Sequence, residues 1–196
     1  MNFIKASLSK MRRYRKISAV DEISRRYFVM NGFDGALVTL GVIMGSYFSG
    51  VHDAYLIIGA VLGGALAMAL SGASGAFFTE RAERRFKLRR IERAMLTKLK
   101  DTQHGRASVF AYYWTAFINS SSSAAASVII LIPIMLNAAG LVQISTAVYG
   151  SIGIAFAMIF ALGVYLAKLS KDNAVAQGLK MVFVGLICAG IILLFA

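Results

Sequence analysis

One cysteine, one proline and two histidines are spread through 196 residues, and each scarcity removes a class of function. Cys188 stands alone, so an internal disulfide is impossible. Because it falls inside an apolar run, it reads as a buried, inert thiol rather than a redox group. Two histidines cannot build a His-rich cluster, and neither a nucleophile motif nor paired catalytic carboxylates stand among the apolar segments. The chain is therefore not expected to be an enzyme. Proline is nearly absent while 58% of the residues are hydrophobic and mean hydropathy is +0.69. A soluble domain of this size does not combine such apolarity with so little proline, whereas an integral membrane protein does.

Acids are scarce as well, with 9 Asp and Glu against 21 Lys and Arg and a formal net charge of +12. Five apolar stretches, residues 27–49, 54–78, 110–136, 146–168 and 175–195, each reach the ~20 residues a helical span needs. A transmembrane barrel would instead show alternating segments of about ten residues. The expected fold is all-α with five transmembrane helices. The first run begins too late and is too long for a cleaved secretion signal, and no small-residue cleavage site follows it. The lack of a targeting extension, with the compact size, favours a prokaryotic plasma membrane.

The basic residues cluster before the first span (Lys5, Lys10, Arg12, Arg13, Arg15, Lys16, Arg25, Arg26) and between the second and third, from Arg81 through Arg106. Lys168, Lys171 and Lys180 flank the link between spans four and five, and the other two links have none. By the positive-inside rule the N-terminus and the basic segment are cytoplasmic and the C-terminus is outside. Charge thus speaks of topology and lipid headgroups, and nucleic acid is not needed as a partner. Two regions are expected: a basic segment over 1–26 and a membrane domain over 27–196. Ile4, Leu8, Met11 and Tyr14 have helical spacing, which suits an amphipathic helix on anionic headgroups, although a disordered basic tail fits the pattern equally. Residues 79–106 read as a cytoplasmic helical insert that turns near Gln103–Gly105. Tyr112, Tyr113 and Trp114 then form an interfacial belt.

Against this background Asp34 stands out, a lone carboxylate inside an uncharged membrane-length run. An aspartate deep in hydrocarbon costs roughly 2.5–3.5 kcal/mol on insertion scales, so it normally faces protein or a wet cavity and has a function. Counting 1.5 Å per residue from Tyr27 places it about 10 Å below the cytoplasmic surface. Span two returns the opposite way, bringing Ser71 to the same depth and Met68 about one turn deeper; Asn119 in span three falls near this level, above Ser120–Ser123. Carboxylate and amide oxygens suit a hard or borderline divalent cation, and a thioether tilts selectivity toward Fe²⁺. Each residue also has a plain structural reading. Asp34 is the N-cap of a shorter helix from Gly35, Met68 is packing, and Asn119 with the serines is helix–helix glue. Gly41–Gly45 and Gly59–Gly63 form GxxxG steps, the first on the face of Asp34. Such faces permit close approach within one chain or between two. One carboxylate and one thioether are few ligands, and a two-fold axis beside span one doubles them, so a homodimer is expected.

The stretch NGFDGALVTLGVIMG, carrying Asp34-Gly35 and Gly41, resembles the first-span signature of the vacuolar iron transporter family. GGALAMALSG in span two, the basic helical insert and SSSSAAASVIILIPIML around Pro133 follow that family's order of elements, covering the chain from Arg25 onward. The resemblance implies a five-span homodimer that moves Fe²⁺, and often Mn²⁺, out of the cytoplasm in exchange for protons. The metal is then cargo, with no resident cofactor. Asp34 matches the family's first-span aspartate and Met68 its second-span methionine. The family's second-span glutamate has no counterpart, since Gly72-Ala73 occupies its region and Ser71 is the nearest polar substitute. Vacuolar-type members carry many metal-gathering glutamates in the insert. Here Glu80 and Glu83 stand where those begin, at a spacing that permits a shared metal, but each also has a basic residue at i+4. The alternatives are a proton or small-cation channel and a non-transporting membrane scaffold.

Overall fold

The computed structural model describes residues 11, 13–15, 17–100 and 102–195. Ile4 and Leu8 of the expected amphipathic segment lie outside them, while Met11 and Tyr14 are helical. Five helices follow: α1 (Val20–Phe48), α2 (Ala54–Met95), α3 (Gln103–Ala138), α4 (Ile144–Ser170) and α5 (Ala174–Phe195). All five are long and apolar enough to cross a membrane. No strand occurs among the described residues.

Each helix begins and ends for a local reason. Ala19 takes a left-handed φ of 47°, and Asp21 and Glu22 occupy the first turn of α1, where acids meet the positive end of the helix dipole. At the other end Gly50 adopts φ 91°. Its N–H donates to Tyr47 O and that of Val51 to Ser46 O, a Schellman cap. Asp53 then caps α2, its Oδ1 accepting from Tyr55 N at 2.8 Å, and Asn173 caps α5 by accepting from Val175 and Ala176. Helix α2, with 42 residues, is about 63 Å long at 1.5 Å per residue. That is twice a hydrocarbon thickness of about 30 Å, so its basic C-terminal half extends beyond a span. It stops at Met95 and α3 begins at Gln103, so Gln103–Gly105 is the start of a helix rather than the turn before it. Leu96, 93% exposed, supplies the left-handed residue with φ 50°.

Contacts group the chain into two units, Met1–Phe28 with Leu70–Ser120, and Val29–Ala69 with Ser121–Ala196. This differs from the expected division at residue 26. The second unit holds the apolar core: Leu40 and Ile43 of α1, Ile57 of α2, Ile130 and Ile134 of α3, and Ile159 of α4 are almost wholly buried. Between membrane helices such side chains hold by close packing and dispersion rather than by removal from water. The first unit is knitted by aromatics: Phe77 packs on Tyr112 and Tyr113 with centroids 5.2 and 5.3 Å away, and Tyr14 lies 6.0 Å from Phe110.

Candidate functional site

In the second unit, α1 passes through Asp34 without interruption. The N-cap reading is therefore overturned: Asp34 is the interior of a helix that begins fourteen residues earlier, at Val20. Its side chain is exposed on the chain's surface, and none of the three ion pairs among the described residues involves it. The adjoining residues explain the direction it takes. A Cβ on Gly35 would stand 2.6 Å from Ser123 O, and one on Gly32 would be 3.0 Å from Ser122 Oγ. Gly35 thus meets the α3 backbone and Gly32 the Ser122 side chain, so Asp34, one residue off that line, is turned away from α3. Met30 and Val38, one turn either side of it, are likewise exposed, at 52% and 41%.

Val38 also sets the level of Met68. Its Cγ1 lies 4.0 Å from where a Gly64 Cβ would stand, so α1 and α2 touch there. The two helices are antiparallel across a short link. One turn toward the start of α1 and one toward the end of α2 bring Asp34 and Met68 to a common level, about 6 Å from that contact at 1.5 Å per residue. Met68 is half-buried. Ser122, Ser123 and Ser127 are buried, and Ser127 Oγ bonds back to Ser123 O at 3.1 Å. They behave as the close-packing surface for Gly32 and Gly35.

The glycine steps part company. Cβ atoms on Gly41 and Gly45 would meet Ile192 of α5 at 3.5 and 4.0 Å, so that face of α1 is closed within the chain rather than free beside a second copy. Gly59 and Gly63 of α2 have no neighbour within 4 Å.

In the first unit, Asn119 is 5% exposed and its Nδ2 donates to Gly72 O at 2.6 Å. This is the interhelical bond expected of glue. Its Oδ1 is buried with no hydrogen-bond partner. Ser71 is exposed, its carbonyl accepting from Ser74 Oγ at 3.1 Å.

Glu80 and Glu83 take up the pairs their spacing allows. Arg84 Nε donates to Glu80 Oε2 at 3.3 Å with both side chains buried, and Lys87 Nζ lies 3.3 Å from Glu83 Oε2 in the open. Arg84 Nη1 also donates to Ser18 O at 3.2 Å. Burial lowers the pKa of the Arg84 guanidinium, and the Glu80 carboxylate beside it pulls it back up. Glu80 and Glu83 line one cleft of about 480 Å³ together with Glu22. Sequence reasoning passed over Glu22, which stands in the first turn of α1. Arg26, Arg84 and Lys87 line the same cleft, balancing the three acids. No group of three or more His, Cys, Asp or Glu suited to a metal occurs among the described residues.

Five long apolar helices, with a carboxylate in the middle of the first, put the chain in an all-helical class compatible with an integral membrane protein. Within it, the chain is 36% identical over 164 residues to Uncharacterized protein MJ0645 of Methanocaldococcus jannaschii, covering 82% of each. The chain belongs to the same family as that archaeal protein. No family model and no solved structure matches it.

Proposed function

We propose that this protein transports a divalent transition metal, Fe²⁺ or Mn²⁺, out of the cytoplasm by exchange with protons, using Asp34 and Met68 as its membrane-level ligands. The observation that carries the reading is the position of Asp34: mid-helix, without an ion-pair partner among the described residues, and level with Met68. A charged group at such depth is costly unless it meets an ion, water or protein. A carboxylate oxygen and a thioether together suit a borderline cation better than Ca²⁺ or Mg²⁺. Because the metal binds the ionised carboxylate, protonation competes with it, and a proton gradient can drive release. The positive-inside rule assigns the basic end of α2 and its link to α3 to the cytoplasm. Two ligands per chain are few, so the site is proposed to be completed across a homodimer. Glu80 and Glu83, with Glu22 on their cleft, are a second place for a cation, in competition with Arg84 and Lys87.

A proton or small-cation channel is the second reading. It is favoured by Asn119 meeting Gly72 where the resembled family has a second acid, which leaves one carboxylate per chain at this depth. Flux measurements in proteoliposomes separate the two. Asp34→Asn is expected to abolish Fe²⁺ and Mn²⁺ uptake while the protein still assembles. Unchanged metal flux in that variant would falsify the site, and proton current without metal dependence would favour the channel.

A further inference from the structure

A cleft of about 350 Å³ lies between the basic end of α2 and the first turns of α3, within the size range of small-ligand sites. Among the described residues its walls carry Arg81, Arg84, Arg85, Arg89 and Lys100 against one carboxylate, Glu92. Arg81, Arg85 and Arg89 follow one another at i, i+4, a spacing at which like charges repel. Among the described residues none of these three, nor Lys100, has an ion-pair partner. Glu92 is engaged elsewhere, its Oε1 accepting from Leu99 N at 2.7 Å. Arg84 is held by Glu80 and Ser18, yet its Nη2 is buried without a partner, a costly state for a guanidinium donor.

The surroundings specify the counter-charge. Gly105, in the first turn of α3, lines the cleft, and a Cβ there would stand within bonding range of Lys100 O. The N-terminal end of α3 thus closes one wall, with its dipole favouring an anion, while the Gly105 N–H itself is taken by Thr102 Oγ1 at 3.5 Å. Guanidinium forks match the oxygens of phosphate, and a phosphate offers more charge and more acceptors to so many cations than a carboxylate does. Tyr112 lines the cleft and packs with Phe77 and Tyr113. Such aromatic clusters sit at membrane–water boundaries, the depth of lipid headgroups.

We infer that this cleft is a binding site for a phosphate group, presented by an anionic phospholipid headgroup or as free phosphate. The inference does not depend on transport. The test uses the full-length protein purified in a neutral detergent. One arm titrates inorganic phosphate by calorimetry, and the other measures retained phosphatidylglycerol against phosphatidylcholine by native mass spectrometry. Arg85→Gln with Arg89→Gln removes two exposed cleft cations. Lys87→Gln with Arg90→Gln removes the same charge from the same helix outside the cleft. Loss of two charge-assisted contacts is expected to weaken binding by about tenfold in the first pair, with little change in the second. Selective loss in the phosphate arm identifies the free anion as a ligand, and selective loss in the lipid arm identifies the headgroup. Binding of neither probe, or equal loss in both pairs, would overturn the inference.

Discussion

At Glu80 a carboxylate 6% exposed meets Arg84 across a 3.3 Å contact, and the arginine in turn holds the Ser18 carbonyl. Breaking a buried pair by neutralising one partner leaves the other charge uncompensated, at a cost of about 3–5 kcal/mol. The long Nε–Oε2 distance places Glu80→Gln at the lower end, about 3 kcal/mol. Thermal unfolding in detergent measures this, and Glu80→Leu combined with Arg84→Met should recover most of the loss. If Glu80→Gln is silent, the pair is ornamental and the carboxylate is available for a cation. Asp34 is in the opposite situation. Its place inside the apolar run of α1 was legible in the sequence, and counting from Tyr27 gives its level along the helix because the rise is constant. Its direction was not, because that depends on Gly35 meeting Ser123 backbone, a contact that local spacing does not encode. The same holds for Asn119, whose partner is the carbonyl of Gly72, a group every residue carries.

Among the helices, the apolar runs pointed to all five and to the ends of α4 and α5 within two residues, whereas α1 and α3 start seven residues before their runs. The end of α2 escaped notice. Helices commonly stop at a glycine in the left-handed region, but here Leu96 takes that role with φ 50°, and no Gly, Asn or Pro marks the place. A left-handed conformation costs a non-glycine residue roughly 1–2 kcal/mol. Since Leu96 is 93% exposed, Leu96→Gly loses little packing and should stabilise the protein by about 1 kcal/mol. A melting temperature that falls instead would mean that the leucine side chain has a partner in the membrane-bound protein.

For the molecule as a whole, the question is what covers the bare surface of α2. Only 17% of its membrane window is buried within the chain, against 44% for α1, and Gly59 and Gly63 face open space. Small residues of this kind let a neighbouring helix approach closely, whereas the Gly41 step is already closed by Ile192. In a Cys188→Ala background, Gly63→Cys is expected to form a disulfide-linked dimer in native membranes, and Gly41→Cys is not. Monomer alone from both would remove the two-fold arrangement proposed for the metal ligands. The Gly35–Ser123 contact limits mechanism further. With no side chain interposed, that part of α1 can neither roll nor slide on α3 without collision. The carboxylate is thus mounted on a fixed post, and any gate that exposes it first to one side of the bilayer and then to the other must be built from parts that move around it.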